Sequence, residues 1–380
     1  MIPRERVIAA MNLRKPDRVP SMSQFSFGFM NQQLKNTGIT PMEFWLDAEK
    51  YAQGLILLRE RFDFDGILVS VHGHFSNWRE RILKIENIGG LEVASYENRT
   101  ETYVDDDLPV GKFFEQTERD IYSVKPEEIP LELDYIASTD NCYVFIDQEE
   151  PYRVFHVLEE ELKGRFSIHA EVSSPLDYLM DYLGYQNALM AMVMEPAKVK
   201  QILERYTVGV VKMADGLGKN NDIDAIKISS PFAGGGFISP EDYNTFELPY
   251  LREVSNSIKE NGKFAYVHTC GSINDRLEAM AEAGLSGLEC LDPPPLGNVE
   301  LGNAFSRIGG KMFIKGNIDS VNTLLEGSEE QITEDVKQRI ECGMKNKGFI
   351  LSTACSIAPK VAEENVQMLS RLAKKFGQYK

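Results

Sequence analysis

Lys263-Phe-Ala-Tyr-Val-His268, Gly287-Leu-Glu-Cys-Leu-Asp292, Lys311-Met-Phe-Ile-Lys315 and Gly348-Phe-Ile-Leu-Ser352 are four short apolar runs in one stretch of the chain. Helical periodicity fills the gaps between them. Short, continuous apolar strands alternating with helices mark a parallel sheet covered on both faces. Toward the N-terminus, Phe166–Val172 and Ile223–Ser229 extend the pattern, and helix starts stand at Glu195-Pro196, Ser239-Pro240-Glu241 and Ser328-Glu329-Glu330. Gly66–Val71 and the proline-bracketed Arg18–Ser23 bring the number of predicted strands to eight. Eight strand–helix units predict an α/β fold of the (β/α)8 TIM barrel type. A doubly wound open sheet is the alternative, because alternation alone does not reveal closure. Thr40-Pro41-Met42-Glu43 is a capping box with proline at the first helical position, and the helix it opens is predicted to run to about Arg61.

From about residue 78 to 157 the texture differs. Arg81-Ile-Leu-Lys-Ile-Glu86 and Thr100-Glu-Thr-Tyr-Val104 alternate in polarity with Gly89-Gly90 between them, which predicts antiparallel hairpins. This stretch holds too few core elements to stand alone. It is read as a hairpin-rich insertion into a single domain spanning 1–380.

Composition narrows the function. The 58 acids against 41 bases leave a net charge of −17, which argues against nucleic acid, an anionic membrane surface or a polyanionic substrate as main partner. No apolar run is long enough to span a membrane. The opening Met1–Pro20 lacks a signal-peptide stretch, so a cytoplasmic location is expected. Five cysteines disfavour a disulfide framework and favour reduced thiols, some of them metal-bound.

The most specific local signal is Tyr266-Val-His-Thr-Cys-Gly271, a strand ending in His-x-Cys. Residues i and i+2 share a face while the chain stays extended, so His268 and Cys270 converge just past the strand end. In a barrel that point lies on the carboxyl-terminal face, where active sites are built. The last strand runs into Thr353-Ala-Cys-Ser356, which brings Cys355 to the same face and gives the pattern His-x-Cys-x84-Cys. Thiolates with an imidazole suit Zn2+, and three ligands with an exchangeable fourth position suit a catalytic zinc. Asp292 is the candidate fourth ligand, or a carboxylate that hydrogen-bonds a ligand, and Glu289 is a poorer-placed alternative. These two are the candidate catalytic carboxylates.

Blander readings cover the other candidates. Cys142, Cys290 and Cys342 are expected to fill the core. His169 lies inside an apolar strand as a satisfied core histidine. His72 and His74, after an early strand, are loop histidines with substrate contact as the minority reading. Phe232-Ala-Gly-Gly-Gly-Phe237 lacks the residues of a phosphate loop and reads as a flexible loop, with a substrate lid as the lesser option. Phe25-Ser-Phe-Gly-Phe-Met30 reads as core packing before it reads as an apolar pocket wall.

Several stretches resemble the uroporphyrinogen decarboxylase superfamily. They are Arg4 to Pro20, His268-Thr-Cys-Gly271, Leu291-Asp-Pro-Pro-Pro295, Lys315-Gly-Asn-Ile-Asp319 and Ser352-Thr-Ala-Cys-Ser356 with Glu364-Asn365. The resemblance implies a (β/α)8 barrel and one of two chemistries. The decarboxylases proper act without metal and hold porphyrinogen carboxylates with an arginine-rich segment after the first strand. Here that segment, Ser23 to Met30, contains no arginine. The other branch comprises zinc methyltransferases that exchange methyl groups with a corrinoid protein, and it carries His-x-Cys-x(n)-Cys, matched by His268, Cys270 and Cys355. A more distant relative, cobalamin-independent methionine synthase, places a glutamate ligand at the position of Asp292. The implied cofactors are Zn2+ and cobalamin carried by a separate corrinoid protein. The implied partner molecule is a small methyl donor or acceptor: a methoxylated aromatic, a methylated amine or alcohol, or a thiol such as coenzyme M. A metal-free decarboxylase and a non-catalytic small-molecule or corrinoid-binding barrel are the alternatives, and a homodimer stays open.

Overall fold

The computed structural model describes residues 1–115, 119–138 and 142–379. Strand β1 (Gly66–Val69) is followed by an antiparallel sheet of β2 (Lys84–Ile88), β3 (Leu91–Ser95), β4 (Arg99–Tyr103) and β5 (Val110–Phe113). A short antiparallel pair comes next, β6 (Tyr135–Ile136) and β7 (Val144–Phe145). The six strands β2–β7 form the hairpin-rich insertion, and β1 is the barrel strand that precedes it. Then come β8 (Ser167–Ser173), β9 (Ala225–Ser229), β10 (Phe264–Thr269), β11 (Gly287–Cys290), β12 (Phe313–Ile318) and β13 (Phe349–Thr353). The order β1-β8-β9-β10-β11-β12-β13 is a parallel sheet of seven strands wound as a TIM barrel, with helices between successive strands.

The eighth predicted strand, Arg18–Ser23, does not form a regular strand. Its backbone nonetheless spans the gap between the sheet's two edges. Met22 N donates to Leu351 O at 3.0 Å and Leu351 N to Pro20 O at 2.9 Å, while Asp65 N donates to Ser21 O at 2.9 Å. Proline at position 20 has no N–H to give a ladder, and pairing is confined to isolated bridges at Arg18, Ser21 and Phe25. The helix predicted from Thr40 to Arg61 is two helices, Pro41–Leu46 and Ala48–Phe62. Asp47 interrupts them in extended conformation, capping the second helix through Lys50 N and accepting from Trp78 Nε1 at 3.0 Å.

Polarity is layered along the barrel. At the amino-terminal end, helix Pro3–Met11 packs Val7, Ala10 and Met11 against Met22, Leu68, Tyr266, Phe313 and Ile350. Buried arginines lock this plug. Arg6 Nη1 donates to Asp65 Oδ1 at 2.6 Å, Arg18 donates to both Asp65 oxygens at 2.8 and 2.9 Å, and Ser21 N donates to Oδ2 at 2.9 Å. One carboxylate thus joins the plug helix, the bridging segment and the entrance to β1. Among the described residues, no helix is long and apolar enough to cross a membrane.

Removing one partner of a buried ion pair strands the others, at about 3–5 kcal/mol. Asp65→Ala is therefore expected to lower the unfolding free energy by an amount in that range, seen as a lower urea midpoint with little change in slope. A loss under about 1 kcal/mol in urea unfolding would show that this clasp does not hold the barrel shut.

Candidate metal centre

Three parallel strands deliver their ends to one face. His268 lies in the last turn of β10 and Cys270 just past it; Cys290 ends β11 and Asp292 follows; Cys355 comes after β13. Tyr266, His268 and Cys270 alternate onto one side of their strand, and Tyr266 at the lower level hydrogen-bonds His169 Nδ1 at 3.0 Å. His268 Nε2 stands 3.2 Å from Cys270 Sγ, and Cys270 Sγ stands 3.7 Å from Cys355 Sγ. Ligand atoms of His268, Cys270 and Cys290 all fall within 4.8 Å of one another. Cys355 joins the same sulfur cluster, exchanging hydrogen bonds with Cys270, Cys290 and His268.

Cys290, expected from its sequence setting to be a core thiol, is fully buried and also faces this cluster. Alternation hides it. Its predecessor Glu289 points into the barrel, so in an extended strand Cys290 would point out. The backbone turns left-handed here instead, with φ of 84° at Cys290 and 56° at Leu291. Such values are costly for residues with a side chain and re-aim the strand end. Asn317 Nδ2 supports the kink by donating to Leu291 O at 2.8 Å. No compositional signal in the sequence marks this turn.

The two carboxylates take different stations. Asp292 Oδ2 accepts from Gly271 N at 2.7 Å and from Cys290 Sγ at 3.2 Å, so it ties the β10 and β11 loops together beside the sulfurs. Glu289 stands behind His268. Its Oε2 lies 3.2 Å from His268 Nδ1, and its Oε1 pairs with Lys315 Nζ. Lys227, 3.0 Å from Glu171, is 3.9 Å from the same Glu289 carboxylate. Burial works against the Glu289 charge, but the Lys315 and Lys227 ammonium groups outweigh it and hold the carboxyl well below its usual range. In a neutral imidazole, an Nδ1–H donated to Glu289 leaves the Nε2 lone pair facing the sulfurs.

The sulfurs share protons unequally. Hydrogen bonds from the Cys270 and Cys290 thiols draw Cys355 well below an ordinary thiol despite burial, whereas burial and neighbouring sulfur push Cys290 up. Burial alone would lower His268, yet the adjacent Cys270 sulfur raises it well above an ordinary histidine. One imidazole nitrogen and soft sulfur donors at this spacing, with a carboxylate fixing the far side of the ring, fit the donor chemistry of Zn2+.

The remaining candidates are structural or lie elsewhere. Phe232–Phe237 buttresses the Cys270 turn: a Cβ on Gly234 would come within 2.3 Å of Cys270 O, and Gly235 N donates to Ser272 O at 2.7 Å. Phe25 stacks on Phe29 and packs on Phe62 and Phe64, as core. His169 is satisfied by Tyr266 and Ser167. His72 and His74 are buried in a separate cavity.

A parallel barrel with a convergent sulfur, imidazole and carboxylate cluster at its carboxyl-terminal face belongs to the class of barrel enzymes. A family model described as Uroporphyrinogen decarboxylase (URO-D) matches residues 147–376, and the chain belongs to that family. It is 25% identical over 241 residues to a methylcobamide:CoM methyltransferase of Methanosarcina barkeri, covering 62% of this chain and 68% of that protein. It is 24% identical over 251 residues to the chloroplastic uroporphyrinogen decarboxylase of Zea mays, covering 63% of this chain and 60% of that protein. A solved methyltransferase structure from Methanosarcina mazei superposes over 99% of both chains with a TM-score of 0.72 at 18% identity, which bears on the fold.

A buried carboxyl behind the site gives a pH test. Ser230 N donates to His268 O at 2.9 Å, and Ser230 Oγ donates to Glu247 Oε1 at 2.7 Å. Burial raises Glu247 from an ordinary 4.5 to about 7, against hydrogen bonds from Ser230 and Ser174. A raised carboxyl contributes its full stability below the unfolded value and loses it as pH rises toward the folded one. Each unit of separation is worth about 1.4 kcal/mol. The stability difference between wild type and Glu247→Gln is thus expected to shift against wild type between about pH 4.5 and 7 and to level off above. Parallel pH–stability curves for the two proteins would contradict this.

Proposed function

We propose that this chain is a zinc-dependent methyltransferase that moves a methyl group between a small substrate and the cobalt of a separate corrinoid protein. The observation that carries the reading is the convergence of His268, Cys270 and Cys290 within 4.8 Å, with Cys355 Sγ 3.7 Å from Cys270 Sγ. The kinship with a methylcobamide:CoM methyltransferase supports the reaction class. His268, Cys270 and Cys355 would hold the metal, with Cys290 as a further sulfur donor and Asp292 beside the exchangeable position.

Zinc bound there supplies a Lewis acid that keeps a substrate thiol deprotonated or polarises an ether or alcohol oxygen. The chain's own work is placement. Glu289 holds the His268 ring, and Lys315 and Lys227 keep Glu289 ionised and fixed. Asp292 anchors the Cys270 loop through Gly271 N and orients the Cys290 thiol. The barrel walls bury these groups, so charge interactions within the site act at reduced screening.

The kinship with a uroporphyrinogen decarboxylase favours a second reading, a metal-free decarboxylase. Metal analysis separates the two. Protein purified without chelator is expected to carry about one zinc per chain, as a single site of three or four ligands implies. Cys270→Ser, Cys355→Ser and Cys290→Ser are each expected to lower zinc content while far-UV circular dichroism stays unchanged. Well-folded wild-type protein without zinc would overturn the proposal, and conversion of uroporphyrinogen to coproporphyrinogen would establish the alternative. With methylcobalamin and coenzyme M, the loaded protein is expected to yield cob(I)alamin, the methyl thioether and a proton.

The Glu289 contact makes a second test. Glu289→Gln removes the anionic acceptor behind His268 and is expected to weaken zinc binding about 10- to 100-fold in competition with a chromophoric chelator. Unchanged affinity would show that the carboxylate serves the two lysines alone.

A further inference from the structure

A cavity of about 550 Å3 opens beyond the end of β1, walled by the 71–78 loop, helix residues Trp45 and Leu46, and strands β4 and β7 of the insertion. Its lining includes none of His268, Cys270, Cys290 or Cys355. The volume falls within the range of small-molecule sites. Trp45, Phe75, Trp78, Tyr96, Tyr143 and Phe145 give it several aromatic faces. Trp78 has its indole N–H already bonded to Asp47, which leaves the rest of the ring apolar toward the cavity.

Two buried imidazoles in this wall, His72 and His74, lack a well-formed hydrogen bond on either ring nitrogen, and backbone groups of Glu171 and Pro151 approach His72. His74 is 7% exposed, its ring packs 5.1 Å from that of Tyr51, and neither ring nitrogen has a hydrogen-bond partner among the described residues. Leaving a buried polar group unpaired costs about 1–3 kcal/mol, so an unpaired imidazole aimed at a cavity points to a missing ligand group. Burial lowers His74 to about 3 and the adjacent His72 to about 4, so both rings are neutral near pH 7. A neutral imidazole offers one donor and one acceptor.

The less exposed charges of the wall, Arg99 and Glu101, are engaged, whereas Glu80, Arg81 and Glu97 stand on the exposed rim. Arg99 Nε donates to Glu101 Oε1 at 2.6 Å, and its guanidinium lies over the Tyr96 ring at 3.9 Å. Glu101 Oε2 accepts from Tyr103 OH at 2.6 Å, and that hydroxyl meets Tyr96 OH at 3.2 Å. Arg81, on the exposed rim, covers the Phe75 ring at 3.7 Å. The interior therefore presents aromatic faces and neutral nitrogen with no unpaired buried charge.

We propose that this cavity binds an uncharged aromatic ligand of the phenol class, its ring among Trp45, Phe75 and Trp78 and its hydroxyl paired with the His74 imidazole. A hydroxyl is both donor and acceptor, so it can pair with the His74 nitrogen facing the cavity in either tautomer, donating to it or accepting from it. The site rests on no part of the zinc reading.

Trp45 and Trp78 are the two tryptophans of the chain, and both line this cavity, so tryptophan emission of the whole protein reports on it directly. Titration of the full chain with para-ethylphenol is expected to change that emission saturably, with the same Kd in zinc-loaded and chelator-treated protein. His74→Leu is expected to weaken binding about tenfold without lowering the thermal midpoint, because the imidazole it removes has no bond to lose. His74→Gln, which restores a donor and an acceptor, is expected to recover most of the affinity. Replacing para-ethylphenol by para-ethyltoluene deletes the hydroxyl from the ligand side and is expected to weaken binding similarly, with no variant required. The proposal is overturned by the absence of a saturable response, or by equal affinity for the two ligands. Tighter binding of para-ethylbenzoate would overturn it by assigning an anion site at Arg81. Emission that changes with protein concentration alone would overturn it by assigning the cavity to a second copy of the chain.

Discussion

A carboxylate sealed inside a barrel stays ionised only if cations face it, and Glu289 meets that condition twice over. Lys315 approaches it from the adjacent β12 and Lys227 from β9, on the far side of β10, and the imidazole of His268 takes its remaining oxygen. The parallel register makes this arrangement unavoidable, since Glu289 stands beside Lys315 on one side and beside His268 on the other. Each of these groups would be costly alone in the interior; together they offset one another. The same ion cluster also sets the direction of the His268 ring. The orientation of one ligand therefore depends on charges that never reach the cluster of sulfurs.

The order of layers follows from this constraint. Below Glu289 the barrel is closed by the first helix, whose Val7, Ala10 and Met11 pack against Met22, Leu68, Tyr266, Phe313 and Ile350. Above it, strand ends deliver softer donors, and there the backbone turns left-handed at two consecutive residues, Cys290 and Leu291. That turn lies on the face where chemistry is proposed, just past the point where β11 leaves its register with β10 and β12. The neighbouring glycine-rich loop serves this geometry as well. Its small residues let two backbones touch at Cys270, which holds the turn in place without a side chain between them.

Much of this was legible in the residues. Continuous apolar runs marked the seven regular strands because each is buried on both faces, and His-x-Cys at a strand end placed His268 and Cys270 on one side. The hairpins were legible from alternation and Gly89-Gly90. Three features were not. Segment 18–25 looks like a strand but bridges only at isolated points, since Pro20 cannot donate. The helix opened by Thr40 breaks at Asp47, and the one opened by Ser239-Pro240 breaks at Glu247 into Pro240–Phe246 and Leu248–Glu260; there a polar residue serves as cap or buried acceptor. Cys290 was hidden because a two-residue period assumes extended backbone, and the left-handed turn violates that assumption. In each case tertiary contacts overruled a local pattern.

The division of the chain carries a further consequence. The residues matching the URO-D family model run from 147 to 376, and they include His268, Cys270, Cys290, Asp292 and Cys355. The aromatic cavity is built wholly from residues 45 to 145, which precede that span. Barrel strands are rigid and fix a reacting constellation, whereas loops and inserted hairpins accept new walls without disturbing the barrel register. A chain that keeps its proposed chemistry on the matched strands can therefore acquire a ligand requirement in the insertion at little structural cost. The unpaired imidazole of His74 fits that separation. It sits on the 71–78 loop, outside the ion cluster that orients His268, so selection on one site need not perturb the other.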